Sequence, residues 1–166
     1  MSSLFAALLL VPALAGAQSG PVLLDGFETL APWQAQASDG VTARAASVPG
    51  YKGQALRLDF DFGGKGGYAF ARRALPLDLP DNYEISFMVK AEAPSNHLEF
   101  KLTDASGDNV WWYRLPDYVF PEGWKQVRFR KRQVAFAWGP TKDRTLRRAD
   151  RIEFVVSAGS GGKGAI

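Results

Sequence analysis

The residues of this chain that could do chemistry are mainly aromatic and charged, and they concentrate in the stretch 98–114. Its first half, 98–103, alternates apolar and polar residues, which is typical of a strand with one buried and one wet face. The second half carries Trp111, Trp112 and Tyr113 in succession. Since neighbouring strand residues point to opposite faces, both tryptophans cannot lie in the core. At least one large ring therefore lies on the outer face, or at its rim, beside charged groups.

Exposed rings interleaved with charged and amide groups are the composition of a sugar-binding surface. The apolar C–H faces of a sugar stack on Trp or Tyr, and planar polar groups hydrogen-bond its hydroxyls. The candidate rings are Trp111, Tyr113, Tyr68 and Trp138, and the candidate polar partners are Arg72, Glu99, Lys101, Asp108 and Asn109.

A polar turn joins the two halves of this stretch. Residues 104–109 have turn chemistry, because Gly107 can adopt a positive φ and Asp or Asn can cap its own backbone. We expect Val110 and Trp112 to point inward, which leaves the two candidate rings of this strand on the outer face. The alternative is that the aromatics only fill the core and cover strand edges, with Trp33, Trp112 and Trp124 in the core.

Several classes of catalytic chemistry are excluded or disfavoured by composition. The chain has no cysteine, so disulfides, thiol nucleophiles and thiolate metal sites are absent. Its single histidine, His97, makes a zinc cluster or a Ser-His-Asp triad improbable as well. Two Gly-Gly-Lys-Gly runs, at 63–66 and 161–164, do not fit a phosphate-binding loop, because each lysine is followed by glycine. We expect a protein that binds rather than catalyses.

The first 17 residues have the features of a signal peptide. An apolar run too short to span a bilayer well is followed by Ala15-Gly16-Ala17, a small-residue pattern of cleavage sites. We predict residues 1–17 to be a signal peptide and 18–166 to be one exported module, in the periplasm, at the cell surface or secreted. The mature chain has no transmembrane segment on this interpretation. A buried N-terminal helix or an uncleaved anchor is the alternative.

Positive charge is unevenly distributed along the chain, although the net charge is only +3. The segment 128–151 is rich in arginine and lysine, with Asp143 and Asp150 interspersed. This pattern is typical of a solvated, partly ion-paired surface, and a patch that binds polyanions is the alternative. We expect no nucleic acid partner.

The elements that must position these residues are short strands. Alternating runs separated by Gly- and Pro-rich turns predict an antiparallel β-sandwich, an all-β fold. The predicted strands are 22–28, 41–46, 54–62, 68–74, 83–89, 98–103, 110–114, 124–130 and 151–157, and a short helix or helical turn is expected within 139–149. The chain stops at 164–166, where another strand would begin, so we expect a truncated module that lacks its last strand.

Five motifs, taken in their order along the chain, carry a resemblance to a known family. They are LDGFE at 24–28 with Trp33, GQALRL at 53–58, LTDASGDNVWW at 102–112, FAWGP at 136–140 and AGSGGKG at 158–164. In this order they resemble a carbohydrate-binding-module jelly roll of the galactose-binding-like superfamily. The resemblance covers about 22–166 and is nearest to the N-terminal module of secreted bacterial glycosidase-like or discoidin-domain proteins.

The resemblance implies a non-catalytic module that binds an oligo- or polysaccharide. It also implies a covalently linked downstream domain, such as a glycoside hydrolase domain. It also implies a structural calcium ion, for which Asp25 and Glu28 match half of the ligand pattern. No other cofactor is expected. A second reading is a structural or interaction β-sandwich whose aromatics pack against the downstream catalytic domain, and polyanion binding through 128–151 is the third.

Overall fold

The computed structural model describes residues 8–12 and 20–166, and this part of the chain is built of antiparallel strands. The strands are β1 (Leu8–Pro12), β2 (Val22–Asp25), β3 (Gln34–Ala37), β4 (Thr42–Pro49), β5 (Gln54–Asp61), β6 (Tyr68–Asp78), β7 (Tyr83–Val89), β8 (Asn96–Thr103), β9 (Val110–Tyr118), β10 (Lys125–Arg130), β11 (Ala135–Trp138), β12 (Arg148–Ser157) and β13 (Lys163–Ala165). One 3₁₀ turn, Lys131–Gln133, follows β10. The described residues include no helix of the length and apolarity that a membrane crossing requires.

The strands form two layers around one core. One layer is a six-stranded sheet in the order β11-β9-β8-β12-β6-β3. The other contains a four-stranded sheet, β10-β7-β1-β2, and a three-stranded sheet, β13-β5-β4, which a bridge between Glu92 and Ala165 connects. Every strand pair is antiparallel. The predicted antiparallel β-sandwich is confirmed.

Period-two alternation explains how the core forms. In β5, β7 and β8 most apolar residues of each alternating run are buried, among them Leu58, Ile85 and Phe100. Rings from the two layers meet in the middle: Phe87 of β7 lies edge-on to Phe154 of β12, with centroids 5.0 Å apart. Burial of one such side chain stabilises the fold by about 1.5–3 kcal/mol. The six-stranded sheet is thereby fixed on its inner side and leaves its outer side to solvent.

Strand β1 lies within the predicted signal peptide and occupies an interior position in its sheet. It pairs with β2 on one side and with β7 on the other. Leu8 is fully buried in the core. The signal peptide stays a prediction, and cleavage after residue 17 would remove this strand.

The prediction of a short helix or helical turn within 139–149 is wrong. Residues 139–147 form loop and bend, and β12 begins at Arg148. The Asp143 carboxylate accepts a hydrogen bond from the Thr145 backbone N–H, a local bond that competes with a helical turn. Leu146 anchors this loop by its burial in the core.

Candidate functional site

Cross-strand register assembles two rows of side chains on the outer face of the six-stranded sheet. Directly opposed residues of antiparallel strands share a face. The central row runs across five strands and consists of Trp112, Lys101, Glu153, Arg72 and Gln34. The second row is parallel to it and consists of Arg114, Glu99, Val155, Phe70 and Gln36. We call these two rows, together with Tyr68 and Trp138, the outer face.

Lys101 lies at the centre of the outer face, surrounded by rings. Its Nζ is 5.0 Å from the ring centroid of Trp138, 5.9 Å from Trp112 and 5.8 Å from Tyr68. A cation within about 6 Å of a ring face is attracted by the ring quadrupole. These contacts cover the stem of Lys101 and hold the three rings around one charge.

Glu99 pairs with two of the cations of the outer face. Its Oε2 is 3.1 Å from Lys101 Nζ, and its Oε1 is 3.2 Å from Arg114 Nε. The Ser157 hydroxyl also donates to Oε1 at 2.9 Å. Glu99 is only 4% exposed, so removal of these donors would leave a buried charge without partners.

Glu153 is the second acid of the outer face, and burial and nearby cations shift its pKa in opposite directions. Burial raises the pKa of the Glu153 carboxyl, while Lys101, Arg72 and Arg151 act in the other direction. The net effect is a raised pKa. Glu153 is therefore a carboxyl whose ionisation this face partly disfavours, and a bound hydroxyl group could hydrogen-bond either of its protonation states.

The rings of the outer face form two pairs on either side of Lys101. Trp112 and Trp138 meet edge to face, with centroids 5.6 Å apart and planes at 89°. Tyr68 and Phe70 form the other pair at 6.0 Å. Trp138 and Tyr68 are 47% and 45% exposed, so their rings remain available to a ligand.

Two guanidinium groups complete the arrangement by lying over rings. Arg114 Cζ is 5.5 Å from the Trp112 centroid, and Arg72 Cζ is 5.7 Å from the Phe70 centroid. Stacking holds these flexible side chains in place, so that their N–H donors are positioned in advance. The outer face thus offers apolar rings beside ordered donors and acceptors.

The predicted orientation of β9 is wrong, because Trp111 and Tyr113 point inward. Trp111 pairs with Leu102 on the core side, is 6% exposed, and donates from Nε1 to the Arg144 carbonyl at 2.7 Å. Tyr113 stacks on Phe129, with centroids 4.4 Å apart, and burial raises the pKa of its hydroxyl. Neither ring lies on the outer face.

Asn109 is a structural residue of the turn rather than a polar partner of the rings. It is buried, its Nδ2 donates to Asp104 Oδ2 at 2.7 Å, and its Oδ1 accepts from the Thr141 N–H at 2.8 Å. The same turn leaves Asp108 exposed. Asn109 thereby ties the turn to the chain that follows Trp138.

Sequence reasoning placed Tyr68, Trp138, Arg72, Glu99 and Lys101 in one candidate site, and the structure brings these five together. It missed Trp112, Arg114, Glu153 and Phe70, which lie on the same face. The register of β9 against β8 would have identified the first two. Alternation along β6 and β12, counted from the predicted positions, would have identified the others.

The residues predicted for calcium do not fit the ion. The Asp25 carboxylate is held by the Arg73 guanidinium, by Trp33 Nε1 at 2.9 Å and by the Phe27 N–H at 2.7 Å. Glu28 accepts from the Gln54 N–H at 3.3 Å. A cation would have to displace the arginine. No cluster of three His, Cys, Asp or Glu suited to a metal occurs among the residues that the structure describes.

Comparison of the fold identifies similar solved structures, although the sequence alone does not. No protein-family model matches the chain, and no curated protein does either. A family 11 carbohydrate-binding module of the cellulosomal cellulase Lic26A-Cel5E of Clostridium thermocellum is 21% identical, with a TM-score of 0.70 over 90% of this chain and 92% of that one.

A second solved structure gives the same result. It is a family 11 carbohydrate-binding module from Clostridium thermocellum in complex with a β-1,3-1,4-mixed-linked tetrasaccharide, and it is 19% identical. Its TM-score is 0.69, over 98% of this chain and 93% of that one. At this identity the likeness concerns the fold, and the expected carbohydrate-binding-module type of jelly-roll β-sandwich is confirmed.

Proposed function

We propose that the outer face binds a carbohydrate chain, and that the protein is a non-catalytic carbohydrate-binding module. The observation that carries this proposal is the row of rings around Lys101, in which exposed Trp138 and Tyr68 lie beside ordered arginine and carboxylate groups. Sugar rings stack on the two aromatic rings, and sugar hydroxyls hydrogen-bond to the arginine and carboxylate groups. The first ligand to test is a mixed-linked β-1,3-1,4-glucan oligosaccharide, the ligand type of a similarly folded module.

A non-catalytic role is supported by how the ionisable groups are used. The Glu99 carboxylate is occupied by Lys101 and Arg114. His97 accepts a hydrogen bond at Nδ1 from the Asp117 N–H at 2.9 Å, so it serves the backbone of β9. A general acid or base needs a free position towards a substrate.

The experiment is isothermal titration calorimetry with a panel of β-glucan, xylan and galactan oligosaccharides. Trp112→Ala should weaken binding by about 2 kcal/mol, or roughly 30-fold, because it removes one ring and loosens both Trp138 and Arg114. The matched control is Trp124→Ala, which removes a half-buried tryptophan from the other layer and should leave the affinity within about twofold. Absence of binding by the folded chain, or equal affinity of Trp112→Ala and wild type, would overturn the proposal.

A second candidate is an interaction module, and one feature favours it. Leu56, Met88, Trp124 and Ile166 line an apolar groove between β5 and β7, away from the outer face. A linked domain could cover this groove. In that case Trp124→Ala would weaken association with the domain, whereas the sugar-binding proposal predicts that Trp112→Ala weakens oligosaccharide binding. Titration of both variants with the domain and with oligosaccharide separates the candidates.

The proposal includes export and a covalently linked downstream domain. The small-residue pattern at 15–17 supports export, and the location would be periplasmic, cell-surface or secreted. The intact mass of the exported protein would show whether residues 1–17 are removed. The gene sequence beyond codon 166 would show whether a further domain is encoded.

A further inference from the structure

Four of the nine cations of the segment 128–151 are paired with nearby carboxylates. The pairs are Arg128 and Arg130 with Glu84, Arg147 with Asp143, and Arg148 with both Asp78 and Asp150. These pairs interrupt the positive charge along the segment, since a paired arginine offers less to an external anion. Of the five cations outside these pairs, three lie close to one another.

Three of the remaining cations line one cavity of about 430 Å³ at an end of the sandwich. They are Lys131, Arg132 and Arg144, and Asp81 is the one carboxylate among the described lining residues. Within the described ranges, neither Arg132 nor Arg144 has a carboxylate at salt-bridge distance. Lys131 Nζ donates to the Asp81 carbonyl at 2.8 Å, and Arg144 Cζ lies 5.1 Å from the Phe136 centroid.

Tyr83 lines the same cavity and has an unsatisfied hydroxyl. The residue is 2% exposed, and its Oη is buried without a hydrogen-bond partner among the described residues. Burial raises the pKa of Tyr83 to about 12, so the hydroxyl keeps its proton and remains a donor. A buried donor without an acceptor is costly, and native proteins retain few of them. An acceptor oxygen that enters the cavity and displaces the atoms covering this hydroxyl would remove this cost.

We propose that this cavity is a second binding site, which takes the carboxylate or sulfate group of an acidic saccharide. Arg132 and Arg144 supply charge-assisted donors to the oxyanion, and Tyr83 supplies a neutral one. Both anions present several acceptor oxygens, which is the chemistry that they share. That the anion is carried on a saccharide rests on the proposed function, whereas the anion site itself does not.

The test is calorimetric titration of the whole chain with a galacturonate oligosaccharide, a sulfated oligosaccharide and inorganic sulfate. Arg132→Ala and Arg144→Ala should each weaken the preferred acidic ligand at least tenfold. Lys142→Ala is the matched control, because it removes the same charge from the same segment at an exposed residue outside the cavity lining. Tyr83→Phe should also weaken binding several-fold and leave the unfolding temperature equal or higher.

The outcomes discriminate between the two sites. Preference for uronate or for sulfate ester identifies the anion, while equal affinity for inorganic sulfate keeps the anion site and overturns the saccharide. No acidic ligand bound, or an equal loss in Lys142→Ala, overturns the anion site. Trp112→Ala should leave acidic binding unchanged, and Arg132→Ala should leave neutral glucan binding unchanged. These two controls therefore show whether the anion site or the sugar-binding outer face is wrong independently of each other.

Discussion

Lys101 shows how much of the outer face depends on single residues. Its ammonium group contacts three rings and the Glu99 carboxylate, so it connects both rows. A buried cation would be costly alone, but here the charge is paired and faces π-systems. Substitution of Lys101 would therefore release the rings and unpair a buried acid together, which makes it a poor probe of binding. Glu153 is a cleaner probe at this scale.

Glu153→Gln should change how stability depends on pH. Burial raises the pKa of Glu153 in the folded state, so its favourable contribution is present below the unfolded pKa and is lost as pH rises through the folded value. The glutamine variant lacks this loss. Its free energy of unfolding relative to wild type should therefore increase between about pH 4 and pH 7.

Urea denaturation of both proteins at the two pH values measures this difference. Glu122→Gln, at an exposed position, is the control and should show a smaller change. An identical variant-to-wild-type difference at both pH values would mean that Glu153 ionises without a penalty from burial.

At the scale of elements, the turn between β8 and β9 decides which tryptophan reaches solvent. Asp104 organises this turn: its carboxylate accepts bonds from Ser106 Oγ and Asn109 Nδ2, both at 2.7 Å, and from the Gly107 N–H at 3.1 Å. The six residues 104–109 place Val110 opposite Thr103. A register shift by one residue would send every side chain of β9 to the other face.

Asp104→Ala should destabilise the turn by on the order of 2 kcal/mol, the usual scale of hydrogen bonds to a charged group. Burial acts to raise the pKa of Asp104, but its hydrogen bonds, led by Asn109 and Ser106, outweigh burial and lower it. The stabilisation is therefore present above the unfolded pKa and is lost as pH falls through the folded value.

Thermal unfolding at neutral and acidic pH tests this prediction. The variant should lose part of the acid sensitivity of wild type, whereas Asp108→Ala, an exposed aspartate of the same turn, should behave as wild type. Equal destabilisation by both substitutions would assign the effect to turn propensity instead of the Asp104 carboxylate.

Sequence patterns predict the strands well where one face is apolar and the other polar. Alternation in β5, β7 and β8 places most core residues correctly, because the residues between the apolar ones are mostly polar and leave one favoured orientation. In β9 four large residues, Val110 to Tyr113, follow each other, and periodicity carries no information about direction. The orientation is set by the turn that Asp104 organises, because this turn fixes which residues of β8 and β9 lie opposite each other. The cavity at Tyr83 could not be predicted from the sequence either, since four separate segments line it.

At the scale of the whole molecule, β1 occupies a strip along β7 that continues towards β13. The Ala91 N–H donates to the Pro121 carbonyl on the β10 side. The backbone groups of the next residue, Glu92, face the opposite edge and exchange hydrogen bonds with Ala165. β1 pairs with 83–86 along this second edge. Between the two contacts lies the apolar groove that Met88 and Ile166 line. The edge of β7 is thus covered at both ends and open in the middle.

This arrangement makes removal of residues 1–17 a sharp test of how the proposed leader relates to the sandwich. The form 18–166 lacks β1, so the edges of β2 and β7 lose their partner and the core loses Leu8. Loss of one fully buried leucine alone costs about 3 kcal/mol. We expect the shorter form to unfold at lower denaturant and to self-associate through its open edges, unless a strand supplied from elsewhere takes the place of β1.

Denaturant unfolding and light scattering of the two forms measure this. In the form 1–166, Leu8→Ala should reproduce most of the loss in stability without self-association, because the backbone of β1 remains to cover both edges. Val22→Ala, a half-exposed apolar position in β2, is the control and should change the unfolding free energy by no more than about 0.5 kcal/mol. Equal stability of 1–166 and 18–166, with both monomeric, would show that β1 adds nothing to the sandwich, and the leader could then be removed at no cost to the fold.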